Sequence, residues 1–186
     1  MKATPRNLIR LGLLIVLAFL GQYTASQTLV NRELKSLDPA QVLGEISPTP
    51  PPDFYQVTKI VDGDTIKVDI NGQTETVRLL SIDSPEVHKP GTPVQCYGPE
   101  ATDHLSLLLA DGIVRLEPDT KQGDRDRYQR LLRYVYLPDG SEVNSTMVKD
   151  GYARAYTTIK SDQLPLMLEL QQQAQDQHLG LWSACQ

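Results

Sequence analysis

"DGDTIKVDINGQTETVRLLSIDSPE", residues 62–86, reads as two strands and a tight turn with charge gathered at the open end. Ile66, Val68 and Ile70 alternate with polar residues, the period of a half-buried strand. Asn71-Gly72 is the pair preferred in a two-residue hairpin turn, where both positions need positive φ. "TETVRLLSI", residues 74–82, is the predicted return strand. The hairpin explains the apolar residues but not Asp64, Arg78, Asp83 and Glu86. Asp64 and Asp83 are hard oxygen donors near strand ends, a pair suited to Ca2+ or Mg2+ if those ends converge. Arg78 lies mid-strand, where a guanidinium needs phosphate or carboxylate for its planar fork. Glu86 follows just behind Pro85, a carboxylate that can take a proton from water. The plain alternatives are a strand terminus for Asp64, a structural ion pair for Arg78 and a solvent-facing loop for Glu86.

On either side the pattern continues. "FYQVTKIV", residues 54–61, is a further strand. "GPEATDHLSLLLADG", residues 98–112, reads as a helix, with Pro99 and Glu100 in the first turn and Gly112 beyond the last. "IVRLEP" and "RLLRYVYL" are two more strands, then "EVNSTMVKDG" and "LPLMLELQQQAQDQHLG" two more helices, ended by Gly151 and Gly180. Leu166, Leu170 and Ala174 are the expected buried stripe of the last one. Three strands, a helix, two strands and two helices is the order of an α+β, mainly β protein. It matches the OB-fold, a five-stranded Greek-key barrel, here with three helices.

The chain of 186 residues carries a net charge of −5, so a polyanion must be met by a local patch. One such patch is "KQGDRDRYQRLLR", residues 121–133, net +3, with Tyr128 interleaved as a base-stacking platform and Arg130 feeding into a strand. Tyr156 is a second aromatic expected nearby. His88, His104 and His178 show neither ligand nor triad spacing.

The first 26 residues have the anatomy of a secretory signal: Lys2, Arg6 and Arg10, an apolar run from Leu11 to Gly21, then small residues up to Ser26. An uncleaved anchor, a membrane tether through residues 8–21, is the alternative. Cleavage takes three positive charges away and leaves −8. Residues 27–53, ending in "SPTPPPD", form a proline-rich linker, and the folded domain spans 54–186. A secreted or cell-envelope location makes one disulfide, Cys96–Cys185, the expected state of the two cysteines, with two separate thiols as the alternative.

"VDGDTIKV", "VRLLSIDSPE", "YGPEA", "DRYQR" and "LGLWS", in that order and spacing, resemble the staphylococcal nuclease (thermonuclease) family over nearly all of residues 55–183. The resemblance implies the OB barrel with three helices and a Ca2+-dependent hydrolysis of DNA and RNA that leaves 3′-phosphate ends. It implies calcium held by Asp64, Asp83 and the Ser84 carbonyl, catalysis by Arg78, Glu86 and Arg130, and Tyr128 and Tyr156 flanking the nucleotide. Ser84 stands where the family has threonine, Gln129 and Leu131 replace glycines around Arg130, and Thr158 takes the place of a second pocket tyrosine. The family's best-known member is basic and this chain is acidic, which predicts weaker, more salt-sensitive substrate capture. Single strands are the expected substrate, and a monomer the expected state. Two rivals are a non-catalytic OB module binding single strands and an envelope-tethered adaptor. The first predicts loss of an acid or arginine from the set, and none is missing; the second gives Arg78 and Glu86 no purpose.

Overall fold

The computed structural model describes residues 51–88 and 91–185. The expected leader, the tether over residues 8–21 and the linker up to residue 50 lie outside the described residues. Five strands close into a barrel: β1 (Phe54–Asp62), β2 (Thr65–Ile70), β3 (Gln73–Leu79), β5 (Ile113–Glu117) and β6 (Leu131–Tyr136). Their order around it is β1-β2-β3-β6-β5, and β5 returns to β1. Three main helices, α1 (Gly98–Leu108), α2 (Val143–Lys149) and α3 (Leu164–Asp176), accompany it, with a one-turn α4 (Leu181–Ala184) at the end. The expected OB barrel is the fold observed.

Local chemistry accounts for most of this. Asn71 and Gly72 take φ of 55° and 81°, so the turn closes β2 on β3 with Ile70 opposite Gln73. Ile66, Val68 and Val77 then face the barrel interior and are fully buried. Each such side chain contributes roughly 1.5–3 kcal/mol by leaving water. Ala101 and Leu105 of α1, Met147 of α2 and Met167 of α3 join the same core.

Three expectations differ from the structure. The return strand does not run through to Ile82. β3 stops at Leu79, Ser81 turns the chain at φ 65°, and β4 (Ile82–Asp83) leaves the barrel to pair with β7 (Arg154–Ala155). The buried Asn144 side chain supports the departure, donating to the Leu80 carbonyl at 2.9 Å and accepting from the Val135 amide at 2.9 Å. On α3 one member of the expected stripe is replaced. Met167 and Ala174 are buried and Leu170 packs on the core, whereas Leu166 is 43% exposed. The helix itself ends at Asp176, with His178 in the left-handed region at φ 53°, before Gly180 is reached.

The pairing of β3 with β6 is the only parallel one in the barrel, and it positions the site. Arg78 lies opposite Thr65 on one side and Leu132 on the other. The loop before β6 is thereby delivered to the end of the hairpin where Asp64 sits.

Candidate active site

Asp62 pairs with Thr65, so Gly63 and Asp64 form a second tight turn, between β1 and β2. The turn sits hard against its neighbours: a Cβ on Gly63 would lie 2.8 Å from the Ala101 Cβ and 2.8 Å from the Ser84 Cβ. Glycine is needed here for close approach. Asp64 is 6% exposed. Its Oδ2 accepts from the Ser84 amide at 2.9 Å and pairs with Arg78 Nη2 at 3.0 Å, while Thr65 Oγ1 donates to Oδ1 at 3.0 Å. The same Arg78 Nη2 reaches Asp83 Oδ1 at 3.2 Å, and Nη1 donates to the Leu79 carbonyl. One guanidinium therefore bridges the two aspartates singled out as a pair.

These acids outnumber the cations beside them. Burial, then the charge of Asp64, pushes the Asp62 carboxyl up to about 6. Burial and Asp64 also raise Asp83, with Glu86 adding to the effect, against opposing pulls from Arg78 and Arg154. Burial comes first in both shifts and like charge adds to it. Among the described residues no group of three His, Cys, Asp or Glu side chains is placed to hold a metal ion by itself.

Arg130 is held differently, by its own loop. Asp126 Oδ1 accepts from the Tyr128 amide at 2.9 Å and the Arg130 amide at 3.0 Å. Its Oδ2 accepts from Arg130 Nε at 2.7 Å. Burial alone would raise the Asp126 carboxyl, but these bonds from Arg130 and Tyr128 bring it below the usual range. Gln129 occupies the left-handed region at φ 65°, so the residue standing where the family has glycine adopts a conformation that glycine favours. Arg130 nevertheless reaches the site, with Nη1 3.5 Å from Thr65 Oγ1. Tyr128 is 64% exposed, its ring flanked by the Arg127 and Arg130 guanidinium groups at 4.7 and 5.5 Å. Arg78 lies 5.9 Å from the Tyr156 ring on the other side. The rest of the charged loop is less free than its sequence implied: Arg125 pairs with Glu75 at 2.8 Å and Arg133 with Asp124.

A cleft of about 860 Å³ collects Asp64, Arg78, Asp83, Glu86, Arg130 and Tyr128 along its walls. Tyr156 and Thr158 line it as well. Ser84 is buried and does not line the cleft, and its amide donates to Asp64. Glu86 sits on the loop between β4 and α1, and Gly98 lets the helix start against that loop: a Cβ there would lie 3.1 Å from the Glu86 carbonyl. Cys96 and Cys185 form the expected disulfide. In the sequence Asp126 counts only toward the net charge of residues 121–133, and Gln95 has no assigned role. Asp126 had a signal, an aspartate followed at two and four residues by the amides it caps. Gln95 had none.

The chain resembles known proteins over about two thirds of its length. The family model described as staphylococcal nuclease homologue matches residues 76–184, more than half of the chain. A thermonuclease of Staphylococcus intermedius is 41% identical over 129 residues, covering 69% of this chain and 75% of the relative. A thermonuclease of Staphylococcus hyicus is 41% identical over 131 residues, with the same coverage of each. Endonuclease YncB of Bacillus subtilis is 44% identical over 131 residues, 67% of this chain and 59% of the relative. With a barrel of the expected topology, acids and arginines from three of the five ordered motifs in one cleft, a matching family model and relatives at 41% identity, the chain belongs to the staphylococcal nuclease family.

Proposed function

We propose that this nuclease hydrolyses phosphodiester bonds of both DNA and RNA in a Ca2+-dependent reaction that leaves 3′-phosphate ends. The observation that carries the reading is the convergence of Asp64, Arg78, Asp83, Glu86 and Arg130 on a single cleft. The thermonuclease and endonuclease relatives support the reaction class. A non-catalytic OB module is the weaker reading, because no member of the set is lost.

Asp64 and Asp83 would hold the cation, with the Ser84 carbonyl as a third donor. The excess of acid around Asp64 supports this, and hard carboxylate oxygens fit Ca2+. The bound ion would supply Lewis-acid polarisation of a phosphoryl oxygen. Glu86 takes a proton from the attacking water, whose oxygen bonds to phosphorus. The bond from phosphorus to the 5′ oxygen breaks with its electron pair going to that oxygen, which takes a proton from solvent water and leaves as a hydroxyl. Arg78 and Arg130 donate to the remaining phosphoryl oxygens and bind more strongly as negative charge builds on them. Tyr128 and Tyr156 flank the nucleotide, which favours an unpaired strand whose bases are free to stack. Export through the N-terminal segment, with residues 8–21 as a tether if it is retained, and a monomeric state complete the proposal.

The test is cleavage of single-stranded DNA and RNA by purified protein with Ca2+, Mg2+ or chelator, followed by end-group analysis. Ca2+-dependent cleavage leaving 3′-phosphates is expected, with turnover of Glu86→Gln lower by roughly 100- to 10,000-fold. Equal cleavage in chelator, 5′-phosphate products, or a fully active Glu86→Gln would each overturn the corresponding part.

A further inference from the structure

The loop that carries Glu86 is gripped at that residue from both sides. The Glu86 amide donates to the Gln95 side-chain oxygen at 2.9 Å. The Gln95 amide donates to the Glu86 carbonyl at 2.9 Å. A single residue, nine positions along the chain, thus satisfies both backbone polar groups of the carboxylate assigned as base. Two antiparallel bonds at one residue fix its backbone orientation, and hence the direction in which its side chain leaves.

What holds Gln95 is not the core. Gly91, Pro93, Val94, Gln95 and Cys96 are all exposed, Val94 at 58%. Ordering such a segment costs backbone entropy of about 1–2 kcal/mol per residue with little apolar burial to offset it. Two restraints do the work. The Gly98 amide, at the start of α1, donates to the Gln95 carbonyl at 3.1 Å. Cys96, the next residue, is bonded to Cys185 just after α4. α4 is itself anchored, through the buried Leu181 and the 2.9 Å bond from the Leu181 amide to the Gly151 carbonyl. A continuous chain of contacts therefore runs from the core through α4, the disulfide and Gln95 to Glu86.

We propose that Gln95 is a positioning residue for Glu86 and that the Cys96–Cys185 bridge keeps it in place, so that turnover depends on the protein being oxidised. This rests on the reading of Glu86 as the base. The disulfide is then more than a clasp for the chain end: reduction loosens the 91–96 segment, releases Gln95 and lets the Glu86 backbone rotate while the barrel and its acids stay folded.

The experiment follows Gln95→Ala, Gln95→Glu and a Cys96→Ser/Cys185→Ser double variant by steady-state kinetics and by hydrogen exchange at individual amides. Core amides of Val77 and Val135 serve as the folding control. In Gln95→Ala the Glu86 amide is expected to exchange at least roughly tenfold faster. Its kcat should fall roughly tenfold or more, with a much smaller change in KM, as misplacement of a reacting group requires. Gln95→Glu should recover most of both, because the contact uses only an acceptor oxygen. The cysteine variant should reproduce the faster Glu86 exchange and the lower kcat. Unchanged Glu86 exchange in Gln95→Ala would overturn the clamp, and normal exchange in the cysteine variant would overturn the part given to the disulfide. Faster exchange with normal kcat would remove its role in catalysis. Glu86→Gln run alongside separates the two ideas: if it is inactive while Gln95→Ala turns over normally, the clamp alone fails. If Glu86→Gln is fully active, the assignment of the base fails and this inference with it.

Discussion

Two arginines face the same cleft and are held there by opposite means. Arg78 belongs to a strand with neighbours on both sides, and its acids come from separate segments, Asp64 before β2 and Asp83 on β4. Arg130 precedes its strand, and its acid is Asp126, four residues earlier in its own loop. The first guanidinium is fixed by the register of the barrel, so it cannot shift unless the sheet does. The second is fixed within its own loop by Asp126, and that loop is tied to β3 by the Arg125–Glu75 pair. Their exposure follows the same division, 13% for the Arg78 side chain and 29% for that of Arg130. A cleft built this way has a floor set by the sheet and a wall set by a loop.

The contrast is open to direct test. Arg78→Ala is expected to lower turnover by roughly 100- to 1000-fold, the usual cost of removing a donor to developing charge. It should also lower unfolding free energy by about 3 kcal/mol, because Asp64 is left buried without its partner. Arg130→Ala should lower turnover on a similar order yet change stability by about 1 kcal/mol or less, since Asp126 can be rehydrated. Single-turnover cleavage and urea unfolding of both variants measure the difference. Equal stability losses would erase the distinction between floor and wall.

Asp126→Ala is the next largest. It removes the acceptor for two amides and for the Arg130 side chain, so the wall should lose its shape while the floor stays intact. Turnover is expected to fall roughly tenfold to 100-fold, with a stability loss of about 1 kcal/mol. Wild-type turnover in this variant would mean that substrate, not Asp126, places Arg130.

The smallest effect is expected at Gln129. A non-glycine residue in the left-handed region carries roughly 1–2 kcal/mol of strain, partly offset in glycine by the entropy of a freer unfolded chain. Gln129→Gly should therefore raise the melting temperature slightly, by up to about 1 kcal/mol of stability, without loss of turnover. A lower melting temperature would show that the turn needs the glutamine side chain.

How far the sequence reached follows the range of the forces involved. The Asn71-Gly72 turn, the alternation of Ile66 and Val68, and the start of α1 at Pro99 depend on steric preferences within a few residues, and each was legible in the chain. The five motif positions Asp64, Arg78, Asp83, Glu86 and Arg130 were legible too, because charges in such places have no use in a core. The slip on α3 shows the limit of periodicity: Leu166 and Met167 both fit an apolar stripe, and only contact with the barrel selects Met167.

By itself, then, the sequence determined the hairpin, the order of strands and helices along the chain and the identity of the groups that meet in the cleft, since all of these are written in local conformation and residue chemistry. The tertiary structure alone decided that Ser81 breaks β3 so that Asp83 turns toward Arg78, that Asp126 shapes the loop of Arg130, and that Gln95 holds Glu86. Each of these is a hydrogen bond or turn in a loop. Such contacts form only after distant strands, helices and a disulfide have brought the loop ends together.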